Sequence, residues 1–222
     1  PVFSFVVGAA THVNERDDTS SSPYATNAAA NDRARHVFRD IAAMDPQPAF
    51  VMHLGDIVHP VPSLPTFAQA VAQFKDIAAQ SKAPLHVLPG NHDVGDKKVD
   101  WMPADQVCDD YLQIYRDAFG PDFYAFDHGP VRFVAINSLL LNSGLPDEAR
   151  QREWLEQQIT ECAGRRVYLF MHYPPYIYAE KERGSYDNID EPGRSWLLAQ
   201  MRPPGVEAVF AGYELDAAQP GG

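Results

Sequence analysis

The stretch LPGNHDVGD, residues 88–96, combines turn-forming residues with Asn91, His92 and Asp93, a set of side chains that binds metals and transfers protons. It completes the apolar run 84–90, which predicts a buried β-strand. Gly, Asn and Asp are common in turns, since they tolerate positive φ or bond to their own backbone. A turn does not require His92 between Asn91 and Asp93. The stretch is therefore either a plain turn or the loop of an active site.

Apolar runs recur along the chain and predict strands that are buried on both faces. These predicted strands cover residues 3–9, 49–55, 84–90, 131–137, 165–173 and 206–212, with a hairpin strand at 124–129 that turns at Gly129 and Pro130. Amphipathic patterns predict helices over residues 32–44, 65–80, 105–119, 147–162 and 193–201. Two long polar loops occupy residues 14–27 and 176–193. The alternation predicts an α/β fold, and since no linker or repeat interrupts residues 1–222, we expect a single domain.

The composition of the 222 residues argues against several function classes. Hydrophobic residues make up 45%, which predicts a packed core rather than disorder. The formal net charge of −12 argues against a nucleic-acid partner. We find no apolar run near the roughly 20 residues of a membrane helix and no signal peptide, so we expect a cytoplasmic protein. Cys108 and Cys162 match no zinc or disulfide spacing.

Polar side chains follow the predicted strands at the points where those strands end. Ligands of open α/β sheets bind beyond the carboxyl ends of the strands. The segments at these ends are ATH (10–12), GD (55–56), GNHD (90–93), His172 and GYEL (212–215). Histidine, aspartate and asparagine side chains gathered on one rim favour a functional site over a set of ordinary turns.

With these segments the sequence resembles the calcineurin-like metallophosphoesterases. The family pattern is Asp-x-His, Gly-Asp, Gly-Asn-His-Asp/Glu, a lone His and Gly-His-x-His, and this chain follows it in the same order over nearly its whole length. LGDIVH (54–59) and LPGNHDVGD are the most specific pieces. The resemblance implies a four-layer α/β sandwich, with two stacked mixed β-sheets flanked by helices. It also implies that the opening stretch is an active-site loop.

The resemblance further implies a metal-dependent hydrolase of phosphate mono- or diesters. In this family two divalent metals lie side by side and clamp the phosphate oxygens of a small phosphate-ester substrate. Asp56 would bridge the two metals, His12 would bind the first, and Asn91 and His172 would bind the second. Mn, Fe and Zn all suit such ligands, so the sequence leaves the metal open.

The resemblance assigns proton transfer to the same loop. His92 would be the general acid for the leaving oxygen or a charge that stabilises the transition state, and Asp93 would orient its imidazole. For His59 two interpretations remain, a pocket-lining side chain and part of a rigid turn. Structural roles are expected for the strand histidines His53 and His86.

Residues 185–190 of the second long loop also have two interpretations. Either Tyr186 or Asp187 contacts the substrate, or the loop caps a helix with Asp190 as the N-cap.

Three metal-ligand positions depart from the family pattern, at Ala10, Tyr213 and Leu215. A methyl group cannot bind a metal, so the first metal keeps two ligands while the second keeps three, and three can hold a catalytic metal. We therefore expect one or two divalent ions, with fewer than two per chain as the working hypothesis. An impaired enzyme, a pseudoenzyme that keeps the fold to bind a ligand or protein, and a purely structural module all remain open.

The end of the sequence also differs from the family pattern. Members of the family continue after the last motif with strands that complete the second sheet, whereas this sequence ends ten residues after Gly212. The C-terminal strands are therefore expected to be missing. An open sheet edge would invite pairing with a second copy of the chain, which predicts a homo-oligomer.

Overall fold

The computed structural model describes residues 2–102, 104–162 and 164–212. Its first sheet contains three parallel strands in the order β1-β2-β3. These strands are β1 (Val6–Gly8), β2 (Val51–His53) and β3 (Leu85–Val87). Helices α1 (Ala30–Ala43) and α2 (Phe67–Ala78) form the crossovers between them. Because the strands are parallel, their carboxyl ends lie on one edge of the sheet.

The second sheet is mixed, with four strands in the order β4-β5-β6-β7. Its strands are β4 (Tyr124–His128), β5 (Val131–Ala135), β6 (Arg166–Met171) and β7 (Val206–Ala211). The hairpin of β4 and β5 is antiparallel and turns at Gly129 and Pro130, as predicted, with Gly129 at φ 58°. The remaining pairs are parallel and are linked through α5 (Pro146–Glu161) and α6 (Gly193–Met201).

Two further helices come after β3, the last strand of the first sheet, and before β4, the first strand of the second sheet. The single turn α3 (Asn91–Val94) follows β3 directly, and α4 (Asp109–Phe119) follows α3. Short 3₁₀ helices cover Ala25–Ala29 and Ser138–Leu140. All the predicted strands and helices are present, so the α/β prediction is confirmed, and most of the elements are shorter than their apolar runs. The first predicted strand, for example, is regular only over three residues.

An aromatic core holds the two sheets face to face. Along β2 and its flanks, Met52 and Leu54 belong to this inner core while Val51 packs on the opposite side, which is the alternation that a strand imposes. The inner core also contains stacked aromatic pairs from both sheets, among them Phe5–Phe50 at 5.1 Å, Phe126–Phe133 at 5.2 Å and Phe170–Phe210 at 4.9 Å between ring centroids. Each such pair contributes about 0.5–1.5 kcal/mol beyond its burial.

The helices form the outer layers. Phe38 of α1 and Phe74 of α2 are buried against the outer face of the first sheet, and Leu155 of α5 and Leu197 of α6 against that of the second. The expected four-layer sandwich is thus observed. Within the described ranges we find no helix with the length and apolar character needed to cross a membrane.

Candidate metal centre and active site

The backbone at the carboxyl ends of β1 and β2 is strained. The ladder between the two strands continues past their ends, with Ala10 N donating to Gly55 O at 2.9 Å and His12 N to Asp56 O at 3.0 Å. In this segment Ala10, His12 and Asp56 have φ values of 52°, 45° and 53°. Left-handed conformations are uncommon for residues other than glycine, and they concentrate where structure is constrained by function.

Two glycines allow the loops after β2 and β3 to touch. A Cβ on Gly55 would lie 2.4 Å from Gly90 N, and a Cβ on Gly90 would lie 2.3 Å from both the N and the Oδ1 of Asp56. Gly55 also has a φ of 91°, which side chains rarely adopt. Glycine at both positions therefore brings Asp56 against the start of α3, where Asn91 and His92 begin the helix.

Asp56 lies between two histidines. Its Oδ2 is 3.5 Å from His12 Nε2 and 3.6 Å from His172 Nε2, while its Oδ1 accepts a hydrogen bond from His92 N at 3.0 Å. The hydrogen bond fixes one carboxylate oxygen and leaves the other facing both imidazoles. This is the place that the sequence resemblance gave to the bridging carboxylate.

Asp56, Asn91 and His172 bring three acceptor atoms together. His172 Nδ1 lies 2.8 Å from Leu54 O, which can only accept, so Nδ1 carries the proton. In the neutral ring Nε2 is then an acceptor, and it faces Asn91 Oδ1 at 3.1 Å and Asp56 Oδ2 at 3.6 Å. Buried acceptors that face one another repel unless a cation lies among them. The donor set therefore fits a divalent metal at the position predicted for the second ion, and the Leu54 carbonyl fixes the tautomer.

His92 and Asp93 are adjacent in sequence but contact different groups. His92 Nδ1 donates to the carbonyl oxygen of His59 at 2.6 Å, which leaves Nε2 available to carry a transferable proton. The expectation that Asp93 orients this imidazole is wrong. The Asp93 carboxylate accepts from Gly90 N at 2.8 Å, Ile57 N at 3.1 Å and Val58 N at 3.3 Å. It thereby braces the loop after β2 against α3.

Burial and mutual charge shift the pKa values in the site. Burial lowers the pKa of His12 to about 4, so its imidazole is neutral at pH 7 and has a free lone pair. Burial raises the pKa of Asp56, but its interactions with the imidazoles of His172, His92 and His12 and the hydrogen bond from His92 N outweigh burial and leave that pKa below its usual range. Burial, followed by the charge of Asp56, raises the pKa of Asp93 to about 7.

His59 lies at the mouth of the site, which supports the first of its two interpretations. Its Nδ1 is 3.4 Å from His12 Nδ1, and its ring centroid is 4.8 Å from that of His92. The one signal for this in the sequence is its position three residues after Asp56. The two strand histidines are structural, as expected. His53 Nε2 is 3.0 Å from Thr11 Oγ1, and His86 stacks on Phe126 with the ring centroids 3.8 Å apart.

The second long loop reaches the site through Tyr186. The hydroxyl of Tyr186 accepts from Asn91 Nδ2 at 3.4 Å, so it helps to turn the amide oxygen toward His172. The buried Lys97 holds this loop in place, because its Nζ contacts Ser185 O, Asn188 O and Asp190 Oδ2. The second interpretation of residues 185–190, in which Asp190 is the N-cap of a helix, is wrong for α6, since that helix begins without a side-chain cap.

An open cavity of about 590 Å³ lies on the His12 side of the site. Its lining residues are Ala9, Ala10, His12, Thr26, Arg33 and Gly212. Ala10 presents only a methyl group here, so among the described residues the first metal position keeps His12 and Asp56. The departures at Tyr213 and Leu215, and the expected absence of C-terminal strands, concern residues outside the described ranges.

Curated proteins are similar to this chain over most of its length. The chain is 29% identical over 181 residues to a protein of Danio rerio named serine/threonine-protein phosphatase CPPED1, covering 78% of this chain and 56% of that one. The human protein of that name is 25% identical over 182 residues, covering 78% and 55%. A probable glycerophosphodiester phosphodiesterase GpdQ of Arcobacter nitrofigilis is 24% identical over 139 residues, covering 60% and 44%. The chain thus spans about half the length of the curated relatives that it matches.

Solved structures share the fold. Purple acid phosphatase PPD1 from yellow lupin superposes with a TM-score of 0.57 at 16% identity, over 94% of this chain and 37% of that one. GAP50 of Plasmodium gives a TM-score of 0.51 at 13% identity, over 89% and 61%. The family model for calcineurin-like phosphoesterases matches residues 12–212, and divalent metal ions are implied by that family. The resemblance seen in the sequence is confirmed: the chain belongs to the calcineurin-like phosphoesterase family.

Proposed function

We propose that this chain hydrolyses phosphate esters with the help of a divalent metal held by Asp56, Asn91 and His172. The observation that carries the proposal is that Asn91 Oδ1 and Asp56 Oδ2 lie 3.1 and 3.6 Å from His172 Nε2. The three side chains are almost fully buried. A fold has no need of three buried acceptors that face one another, whereas a cation satisfies all of them.

A bound divalent cation supplies Lewis acidity toward a phosphoryl oxygen and lowers the pKa of water, so that a nucleophile forms at neutral pH. The residues of the chain position that chemistry. Leu54 O fixes the tautomer of His172, and His92 N fixes the rotation of the Asp56 carboxylate. Both ligands are thereby preorganised, which limits the reorganisation that accompanies binding.

His92 is proposed to protonate the leaving oxygen. Its Nδ1 is committed to the His59 carbonyl, so Nε2 is the nitrogen that carries the transferable proton. Its ring centroid lies 4.7 Å from that of His12, which lines the cavity where an ester would enter. A positioned general acid of this kind contributes typically about 10²–10⁴-fold to the rate. Asp93 supports the reaction as a brace of the backbone.

Phosphate monoesters are the preferred substrate class in this proposal, with diesters as the second. The cavity beside His12 is open and has Arg33 in its lining, which offers positive charge to a phosphate dianion. The names of the relatives support the same order, since those of Danio rerio and human are protein phosphatases and cover more of this chain than the phosphodiesterase does.

A pseudoenzyme is the second candidate, and the observation in its favour is the methyl group of Ala10 beside His12. The relatives support hydrolysis over this alternative, because they are named as a phosphatase or a phosphodiesterase. For the metal we propose that Mn, Fe or Zn fills the Asp56, Asn91 and His172 position first, with fewer than two ions per chain at low metal concentration.

The test compares hydrolysis of 4-nitrophenyl phosphate and bis(4-nitrophenyl) phosphate by the purified chain with Mn²⁺, Fe²⁺ or Zn²⁺ and with a chelator. We expect metal-dependent turnover, faster with the monoester, that disappears in an Asp56→Asn variant. The exposed His36 pairs with Asp40 on α1, so His36→Ala is the matched control and should behave like the parent chain. A folded chain that binds metal and hydrolyses neither ester would support the pseudoenzyme.

Three further expectations from the sequence stay predictions. They are the single domain over residues 1–222, the cytoplasmic location and the homo-oligomer formed through a sheet edge. Analytical ultracentrifugation over a range of protein concentrations addresses the last of these.

A further inference from the structure

Three imidazoles gather at the mouth of the site, beyond the buried metal ligands. His12, His59 and His92 each offer one nitrogen, and these atoms all lie within 4.8 Å of one another. The ring centroids are 4.7 Å apart for His12 and His92, 4.8 Å for His59 and His92, and 5.4 Å for His12 and His59. The three rings are partly exposed, so an ion can reach them from solvent.

In His92 and His12, one ring nitrogen already has a partner, which leaves the other nitrogen of each ring for an ion. His92 Nδ1 donates to His59 O, and His12 Nε2 faces Asp56 Oδ2 at 3.5 Å, where it can donate to a carboxylate. His12 Nδ1 then has a lone pair, and His92 Nε2 has one in the neutral ring, whereas it carries the transferable proton only in the protonated ring. A carboxylate behind a ligating histidine is also the common support of zinc sites.

The distance between His12 and His59 suits a metal. Their Nδ1 atoms are 3.4 Å apart. Two ligands at about 2.0–2.1 Å from a tetrahedral zinc ion are separated by roughly 3.4 Å. A hydrogen bond between the two neutral rings would also explain that distance. It would not explain why a nitrogen of His92 lies within 4.8 Å of both rings' nitrogens.

We propose that His12, His59 and His92 form a second cation site that takes an imidazole-preferring divalent ion such as Zn²⁺. Three histidines and an open fourth position are a sufficient ligand set for zinc. The site is separate from the one formed by Asp56, Asn91 and His172, because His59 and His92 take no part in that set. A zinc ion in the new site would bind His92 Nε2, the nitrogen that protonates the leaving group. Zinc there would therefore inhibit hydrolysis. This consequence rests on the proposed function, whereas the binding site does not.

The binding test uses the metal-free full chain titrated with Zn²⁺ and, separately, with Co²⁺, whose visible absorption reports tetrahedral nitrogen ligation. The variant is His59→Phe, which keeps a ring and removes both nitrogens, and His36→Ala controls for the loss of a histidine elsewhere. We expect His59→Phe to bind one ion fewer than the parent, or to bind it more than about 100-fold more weakly, since a ligand counts for more than its outer support. Equal stoichiometry and affinity in parent and His59→Phe would overturn the proposal.

Folding is checked by circular dichroism and thermal unfolding of each metal-free variant. Should His59→Phe be unfolded, His59→Ala replaces it with the same expectation. A His172→Ala variant removes a ligand from the buried position only, and it should keep the Co²⁺ absorption that His59→Phe loses. Loss of that absorption in folded His172→Ala together with its retention in His59→Phe would place the ion at the buried position and overturn the proposal.

The inhibition test follows ester hydrolysis at a fixed Mn²⁺ concentration while Zn²⁺ is added, with each rate divided by the same protein's rate without zinc. We expect the parent and His36→Ala to lose activity as zinc is added. The zinc concentration that halves the rate should be at least about 10-fold higher for the His59 variant. If parent and variant are inhibited alike, zinc acts elsewhere and the inhibitory role is refuted. A chain without hydrolytic activity would refute the proposed function, and the binding titration would still decide the three-histidine site.

Discussion

The two halves of the site differ in burial. His172 is fully buried and Asn91 is 6% exposed, so the half that they form with Asp56 excludes solvent. On the other side the His12 side chain is 26% exposed and the methyl group of Ala10 borders the open cavity. Buried acceptors have no water to satisfy them and depend on a cation, whereas acceptors beside an open cavity can be solvated. The buried half can therefore hold a metal even though the open half has lost a ligand.

The largest expected effect is on turnover, and it tests whether His92 belongs to the reaction or to either half of the metal site. The change His92→Ala should lower kcat by about 10²–10⁴-fold, because the leaving oxygen loses its acid. The metal content of the buried half should stay unchanged, since the backbone N–H of residue 92 still holds Asp56. Steady-state kinetics with an aryl phosphate and elemental analysis measure both quantities. An unchanged kcat would contradict the acid role.

The second prediction compares a ligand from each half. His172→Ala should weaken metal binding by more than about 100-fold, because it removes a desolvated ligand from a set of three. His12→Ala should weaken it by about 10-fold or less, since the open half is already incomplete. Calorimetric titration of both variants with Mn²⁺ provides the numbers. Equal losses of Mn²⁺ affinity in the two variants would show that the two halves of the site act as one dinuclear unit.

The third prediction concerns the glycine contact that presses the loop of Asp56 against α3. Gly90→Ala places a Cβ 2.3 Å from Asp56 N, although the φ of −102° at Gly90 suits any residue. We expect the free energy of unfolding to fall by about 1–3 kcal/mol, as in other overpacked sites. Gly8→Ala is the matched control, because nothing lies within 4 Å of its added Cβ. Urea unfolding that finds the two variants equally stable would show that the loops can separate without cost.

The smallest expected effect is a gain in the open half. Ala10→Asp places a carboxylate beside His12, and the φ of 52° at this position is tolerated better by Asp or Asn than by Ala. We expect metal binding at the first position to strengthen by about 10-fold, with Ala10→Asn as a control that keeps the backbone preference and lacks the charge. Metal titration of the folded variants measures the gain. Identical binding by Asp and Asn at position 10 would place the missing affinity elsewhere, for instance at Tyr213 or Leu215.

Much of the fold follows from local pattern. Apolar runs and amphipathic repeats depend on neighbours in sequence, so they predict strands and helices without knowledge of distant contacts. Regular pairing then covers only part of each apolar run, as in β3, which is three residues long. The extra apolar residues still pack, because Leu54 and Leu88 extend the inner core beyond the regular strands. The ends of strands are set by the partner strand, which sequence pattern does not show.

The sequence by itself determined the family, the order of the motifs and the side chains that gather at the carboxyl ends of the strands. It determined them because strand direction places those ends on one edge. Only the tertiary structure decided how the side chains pair. His59 contacts His12 across 47 positions, Tyr186 reaches Asn91 across 95, and Asp93 braces a loop 35 and 36 positions away while His92 uses the His59 carbonyl. These contacts depend on where two loops meet after the sheets have packed, and no periodicity within either loop encodes that distance.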